Sequence, residues 1–195
     1  MSKINDIYTK IESFSFYNLI KTFIDLIITK IFYKNTRIIR NPIYFRYKNR
    51  INFGNLLTTG RYCRLEAFGE SNNEKIIFGD YVQIGDFVHI SAIDKIEIGH
   101  NTLIASKVLI IDHDHGVYDE TSNSSDPLSS PLDRKLASEP ILVKNNVWIG
   151  ESVTICKGVT IGKGSIIGAN SLVLSDIPEY CIAVGSPAKV IKIYD

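Results

Sequence analysis

Cysteine is scarce: three residues in 195, Cys63, Cys156 and Cys181, an odd number, widely spaced and without a C-x-x-C pair. That scarcity excludes a disulfide framework and a zinc knuckle, and it points to a reducing compartment. Long uncharged runs are missing too. The greasiest stretch, 14–33, is interrupted by Lys21, Asp25 and Lys30, whereas a bilayer-spanning helix needs about 20 predominantly apolar residues, so no transmembrane helix is expected. The opening M-S-K-I-N-D-I-Y-T-K-I-E has neither an uncharged core nor a small-residue cleavage site. A secretory signal is therefore not expected, and the cytoplasm is the expected location. Net charge is nearly absent at +1, which gives nucleic acid no uniformly basic surface to bind. With 45% hydrophobic and 22% charged residues, the composition fits a globular domain with an appendage and excludes disorder and collagen.

The small net charge hides a split. Residues 30–64 hold nine basic side chains and no acidic one, while residues 65–195 hold ten basic against eighteen acidic groups. A basic segment thus precedes an acidic body. Ahead of it, Phe16, Leu19, Ile20, Phe23, Ile24, Ile27 and Ile31 follow helical spacing, which predicts an amphipathic helix. Tyr17, Leu26, Ile28, Phe32 and Tyr33 lie off that stripe, so a second face is expected to meet the body, a sister subunit or a bilayer surface. Residues 1–50 are read as this helix and basic segment.

From residue 51 a six-residue grammar takes over. Ile149, Ile155, Ile161, Ile167 and Val173 recur every sixth position, preceded two residues earlier by Val147, Val153, Val159, Ser165 and Ser171. Phe78, Ile84 and Ile90, then Ile98, Ile104 and Ile110, form a second block, and Phe53, Thr59 and Leu65 a weaker third. Residues i−2 and i share one side of a strand, and the remaining residues turn a corner. Gly commonly follows the key aliphatic, as at Gly79, Gly85, Gly99, Gly150, Gly162 and Gly168, and Asn or Gly recurs further into the corner, where positive φ costs little. Three such strands make one triangular coil, and stacked coils bury the aliphatics in a prism. The expected fold is all-β, a parallel β-helix of five coils (51–66, 76–93, 96–113, 141–158 and 159–176) within residues 51–180, followed by a tail over 181–195.

One polar segment, 114–140, interrupts the repeat and carries Pro127, Pro131 and Pro140. A loop of this length in a compact domain is an excursion with a function or a disordered one. Two of the four histidines, His113 and His115, stand at its root in D-H-D-H-G, with Asp112 and Asp114 beside them. Imidazole is suited to proton transfer near neutral pH, and either aspartate is placed to orient it. His89 and His100 fall on a strand and a corner of the repeat and read as structural.

The hexapeptides, D-H-D-H-G, N-N-V-W-I-G, the I-G-A-N and D-I-P pair and the ending G-S-P-A-K-V-I-K resemble the hexapeptide-repeat acetyltransferases, of which the galactoside and maltose O-acetyltransferases are a well-understood type. T-R-I-I-R-N-P-I-Y-F-R is similar to the N-terminal part of their lipopolysaccharide and capsule branch. The resemblance spans about residues 51–195 and implies left-handed coils, a hand that the general crossover rule does not favour.

It further implies acetyl-CoA as co-substrate, a homotrimer with shared sites, a saccharide acceptor in surface-polysaccharide synthesis, and no metal. By the same resemblance His113 is the general base and the backbone N–H of Glu151 the oxyanion donor. Trp148, Asp86 and His115 border the acceptor, and Ala169, Ser175, Lys189 and Lys192 lie along coenzyme A. Two departures stand out. Gly85, with Asp86 beside it, replaces an acceptor-binding Asn of the galactoside enzymes, and Leu174-Ser175 replaces a Thr-Lys pair, so galactoside itself is not implied. Cys156 reads as a packing residue without a histidine partner. The competing readings are an N-acetyltransferase on an amino-sugar nucleotide, a xenobiotic acetyltransferase, a metal protein resembling γ-carbonic anhydrases, and an inactive trimeric scaffold. The basic segment and helix also suit a peripheral contact with an anionic inner membrane.

Overall fold

A computed structural model of the chain describes residues 15–69, 73–118 and 124–194. Phe14, the charges of the first twelve residues, the 119–123 part of the loop and Asp195 lie outside the described residues. Short strands repeat in sets of three and stack into three parallel faces. The first, here the Leu142 face, stacks Ile51–Asn52, Ile76–Phe78, Ile96–Ile98, Ile141–Val143 and Thr160–Ile161. The Trp148 face stacks Thr58–Thr59, Gln83–Ile84, Leu103–Ile104, Trp148–Ile149, Ile166–Ile167 and Cys181–Val184, and Lys189–Ile193 closes it antiparallel. The His89 face runs Ile43–Arg46, Cys63–Ala67, His89–Ala92, Leu109–Ile111, Thr154–Ile155 and Leu172–Val173. Each chain turn passes from the Leu142 face to the Trp148 face, then to the His89 face, and back one level further along.

The hexad aliphatics fill the interior. Leu65, Ile90, Ile110, Ile155 and Val173 are all fully buried on one face, and Ile104, Ile149 and Ile167 on another. Burying each such side chain contributes about 1.5–3 kcal/mol. The glycine after the aliphatic is required by close stacking: a Cβ on Gly150 would stand 2.6 Å from the backbone nitrogen of Ala169. The left-handed residue comes later in the corner, and it is not confined to Asn and Gly. Tyr62, Tyr81, Phe87, Lys107 and Ser152 all take φ between 58° and 62°, a conformation that costs an L-residue roughly 1–2 kcal/mol. Backbone pairing on both sides of each corner offsets that cost, and the Tyr62 and Phe87 rings stack at 5.0 Å.

Helix α1 (Phe16–Phe32) is docked with its polar side inward. Asp25 and Thr29 are its buried residues, while Phe16, Ile20, Phe23, Ile24, Ile27 and Ile31 are exposed. The reason is a polar latch. Asp25 Oδ1 accepts the backbone N–H of Asn41 at 3.0 Å, Asp25 Oδ2 pairs with Arg61 at 2.7 Å, and Thr29 Oγ1 accepts the Ile39 N–H at 2.9 Å. The amphipathic spacing thus locates the helix, but the apolar stripe faces away from the β-helical body. Among the described residues no helix is long and apolar enough to cross a membrane.

Most of the basic segment is paired within the chain. Arg61 serves Asp25, Arg46 and Arg64 serve Glu66, Arg40 donates to the Thr59 carbonyl, and Lys48 lies over the Tyr33 ring at 3.9 Å. Arg50 is buried and donates to the Gly69 carbonyl. Lys30, Lys34 and Arg37, around the end of α1, are left exposed. The excursion begins and ends as an antiparallel ribbon, with His113–His115 paired to Leu136–Ser138.

Candidate active site

Two corner columns flank the His89 face, and the residues singled out in the sequence divide between them. Where that face ends, the Asp112 carboxylate is fully buried. It accepts the Ile93 N–H at 2.8 Å, the Asp94 N–H at 2.9 Å, and His113 Nδ1 at 2.9 Å. A carboxylate has only acceptors to offer, so Nδ1 carries the hydrogen, and in the neutral ring it is Nε2 that holds the lone pair. Of the two aspartates beside the histidines, Asp112 is therefore the orienting one. His113 itself is mostly buried, His115 is exposed, and Ser175 lies exposed on the same corner column two levels away.

Where the face begins, Arg61, Asp86, Ser106, Glu151 and Ala169 stack in a second column. Two corner N–H groups here are capped by a short side chain one level above: Arg61 N–H donates to Asp86 Oδ1 at 2.7 Å and Asp86 N–H to Ser106 Oγ at 3.2 Å. Ala169 above Glu151 has only a methyl group. The Glu151 N–H makes no hydrogen bond among the described residues, nor does the Ser106 N–H below it, because the longer Glu151 side chain turns its carboxylate to Lys107 at 3.0 Å. An open backbone donor at a corner is suited to a developing oxyanion. Trp148, half exposed, stands on the adjoining Trp148 face in a row that continues through Ile166 and Ile182 to Lys192. Lys189, on the same terminal strand as Lys192, pairs with Val184 of the preceding strand.

The two columns are separated by the width of the His89 face, whose strands at these levels are Leu109–Ile111 and Thr154–Ile155. Within the chain, then, His113 and the Glu151 N–H stand at opposite edges of a face. Sequence periodicity did not reveal this division, because a hexad repeat assigns residues to corners without saying which corners meet.

Burial raises the Cys156 thiol above its usual range, assisted by the nearby Asp114 charge, and burial pushes Cys63 up to about 11. Neither is placed to act as a thiolate. No three His, Cys, Asp or Glu among the described residues converge on a metal-sized site. One charged group escaped the sequence reading. Glu66 is buried on the His89 face, where Arg46, Arg64 and His89 gather on it at 3.1, 2.9 and 2.8 Å.

Stacked parallel coils, open corners and an oriented histidine at the root of an excursion loop define a β-helical transferase. Residues 140–175 match the family described as bacterial transferase hexapeptide (six repeats). The chain is 43% identical over 171 residues, 88% of itself and 86% of the relative, to the Escherichia coli K12 protein named as a lipopolysaccharide biosynthesis O-acetyl transferase, WbbJ. A polysialic acid O-acetyltransferase of Escherichia coli O1:K1 is 37% identical over 63% of this chain and 38% of its own length. In fold, the chain is similar to AntD, an N-acyltransferase of Bacillus cereus solved with dTDP-4-amino-4,6-dideoxyglucose and coenzyme A. That likeness has a TM-score of 0.69 at 24% identity, covering 86% of this chain and 88% of AntD. The chain belongs to the hexapeptide-repeat acetyltransferases. Its coils are accordingly those of a left-handed parallel β-helix, as the motifs implied.

Proposed function

We propose that this enzyme transfers an acetyl group from acetyl-CoA to a saccharide hydroxyl during synthesis of a bacterial surface polysaccharide. The buried Asp112–His113 pair carries the reading. A sugar hydroxyl is a weak nucleophile at neutral pH, and a neutral imidazole with a free Nε2 is the base it needs. His113 Nε2 takes the hydroxyl proton as the oxygen attacks the thioester carbonyl. The Glu151 N–H holds the oxyanion, and collapse of the intermediate expels the coenzyme A thiolate, to which His113 returns the proton. Asp112 stabilises the transient imidazolium.

The separation of the two columns supports a homotrimer, in which His113 of one protomer faces the Glu151 corner of its neighbour. In this arrangement Trp148 and Asp86 border the acceptor from the Glu151 side and His115 from the base side. Ala169, Lys189 and Lys192 follow one track along the Trp148 face, suited to the pantetheine arm and phosphates of coenzyme A, and Ser175 lies along coenzyme A from the neighbouring corner column. The exposed stripe of α1, with Lys30, Lys34 and Arg37 at its end, supports peripheral contact with an anionic membrane.

The deciding experiment compares the NMR spectrum of surface polysaccharide from wild-type, deletion and His113→Ala strains. O-acetyl signals absent from both mutants and restored by the wild-type gene are expected. Unchanged O-acetylation in the deletion strain overturns the acceptor assignment, and acetylation of an amine instead points to the amino-sugar alternative.

A further inference from the structure

The Glu151 edge changes character along its length. At its lower levels the corner N–H groups of Arg61 and Asp86 are taken by Asp86 Oδ1 and Ser106 Oγ. At the next levels, Ser106, Glu151 and Ala169, the corner N–H has no hydrogen-bond partner among the described residues. Glu151 makes the switch. It stands one coil above Ser106, where an aspartate or a serine would cap the N–H, but its side chain is longer and its carboxylate turns to Lys107 Nζ at 3.0 Å. Both side chains are more than half exposed, at 61% and 52%, so the pair contributes little to stability. Its consequence is local: a carboxylate is held away from an open backbone donor.

Symmetry sets the height at which this opening is used. A threefold axis that lays the His113 edge of one subunit along the Glu151 edge of the next runs parallel to the direction in which the coils stack, so rotation about it preserves the level. His113 follows directly on the strand Leu109–Ile111, and Ser106 is the corner that leads from Leu103–Ile104 into that same strand. The base of one subunit therefore meets the next subunit at the level of Ser106. The oxyanion donor of Glu151 stands one level higher and Asp86 one level lower.

With coenzyme A on the Ala169 side of Glu151, the Ser106 N–H and the Asp86 carboxylate are left to the acceptor. Asp86 spends Oδ1 on the Arg61 N–H, and its Oδ2 has no partner among the described residues. A backbone donor and a carboxylate acceptor on adjoining levels suit a group that both accepts and donates, which is a hydroxyl. The reacting hydroxyl gives its proton to His113, so the hydroxyl held here is a second one. In the tetrahedral intermediate the oxyanion and an oxygen on the adjacent ring carbon are a few bonds apart, a reach comparable with the coil spacing of about 4.8 Å that separates the Glu151 and Ser106 donors.

We propose that Ser106 is a specificity-determining residue, its N–H kept open by the Glu151–Lys107 pair and binding, together with Asp86, the hydroxyl next to the one that reacts. The acceptor class is thus a sugar with a vicinal diol, acetylated on one hydroxyl of that diol. The proposal rests on the O-acetyltransferase reading, and its test separates the two. Purified full-length protein is given acetyl-CoA and, as acceptor, surface polysaccharide from the deletion strain. The position of the new O-acetyl group is read by NMR, and Glu151→Ser is compared with Glu151→Ala in steady-state kinetics and in amide hydrogen exchange.

Both variants lose the Lys107 pair and both keep the backbone N–H of residue 151. Only serine brings an oxygen able to cap the Ser106 N–H, as Ser106 itself caps Asp86 at 3.2 Å. Exchange at the Ser106 amide should therefore be slower in Glu151→Ser than in Glu151→Ala, a comparison that needs no turnover. The KM for polysaccharide should be about fivefold higher in Glu151→Ser than in Glu151→Ala, the loss expected for one hydrogen bond, with matching kcat and matching KM for acetyl-CoA. The O-acetyl group made by the wild-type protein should lie on a carbon whose ring neighbour bears a hydroxyl. Equal exchange or equal KM in the two variants, or an acetylated carbon without such a neighbour, overturns the proposal and leaves the acetyltransferase reading standing. No transfer by the wild-type protein overturns that reading, and the proposal with it.

Discussion

His113 Nδ1 lies 2.9 Å from Asp112 Oδ1, although the two residues are adjacent in sequence. The contact exists because the strand ends at Ile111 and the chain turns, bringing Asp112 against the Ile93 and Asp94 amides of the coil before it. The carboxylate is thereby fixed by the β-helix, and the imidazole by the carboxylate.

Asp112→Asn tests this dependence. An amide offers one acceptor and one donor group where three donors now converge, so the His113 tautomer is no longer imposed. The kcat of acetyl transfer should fall by about 10²–10⁴, the range expected when general-base catalysis is lost, with little change in KM for acetyl-CoA. Steady-state kinetics should place Asp112→Asn close to His113→Ala, whereas His115→Ala should raise KM for the acceptor and keep kcat near wild type. A deeper effect of His115→Ala than of His113→Ala would transfer the role of base to His115.

The open N–H of Glu151 depends on what is missing at residue 169. Arg61 and Asp86 show that a short side chain with an oxygen one level up, Asp or Ser, captures the corner N–H. Ala169→Asp should therefore close the donor, lowering kcat about 10²-fold as for loss of an oxyanion-hole donor. Because base and donor are assigned to different protomers, mixed assemblies of His113→Ala and Ala169→Asp chains should regain part of the activity that neither variant has. Inactive mixtures would argue that each protomer is self-sufficient.

Much of the fold was legible because a hexad repeat is a direct record of buried side chains: each Ile or Val of the frame, from Leu65 to Val173, does sit in the prism interior. Asn101, Asn146 and Gly158 likewise marked left-handed corners. What periodicity did not convey is register between coils. His89 read as an ordinary strand residue until Glu66 of the neighbouring strand was found against it. The orientation of α1 was hidden for a different reason. Hydrophobic spacing finds the apolar side of a helix but does not say whether that side or a buried Asp25–Arg61 pair faces the protein. The charge of segment 30–64 was similarly misleading as a sum, since most of it is spent on Asp25, Glu66 and backbone carbonyls.

Glu66 predicts an acid-dependent component of stability. Its carboxyl is held below the usual value of 4.5 in the folded protein, so its stabilising contribution is fully present above the unfolded pKa and is lost as pH falls through the lower, folded one. Thermal melts between pH 6 and pH 3 should show a smaller acid loss in Glu66→Gln than in wild type. Parallel curves for the two proteins would mean that Glu66 is not titrating against its arginine and histidine partners.

The latch on α1 should behave as a buried pair. Asp25 is 2% exposed and Arg61 pairs with it from beneath the helix. Asp25→Ala leaves the guanidinium without its charge partner, at a cost of about 3–5 kcal/mol, and should lower the melting temperature and expose α1 to limited proteolysis. Replacing both residues by Asp25→Leu and Arg61→Met should recover part of the loss. No shift on Asp25→Ala would mean that the helix is held elsewhere.

The outward stripe gives the last prediction, and it separates a bilayer from a sister subunit. Phe16, Phe23, Ile27 and Ile31 are exposed on this protomer, and Asp25, the acidic residue of α1, is buried. An anionic vesicle therefore meets apolar side chains together with Lys30, Lys34 and Arg37, each basic residue contributing about 1 kcal/mol near such a surface. Wild-type protein should co-float with vesicles containing anionic lipid at low salt and be released as salt rises. Replacing Phe23 and Ile27 by Ser should abolish flotation without lowering the melting temperature, since neither side chain is buried in the body. Neutralising Lys30, Lys34 and Arg37 to Gln should weaken it, whereas neutralising Arg46, already paired with Glu66, should not. If the Phe23 and Ile27 variant instead changes the oligomeric state and wild-type protein never floats, the stripe is a subunit contact.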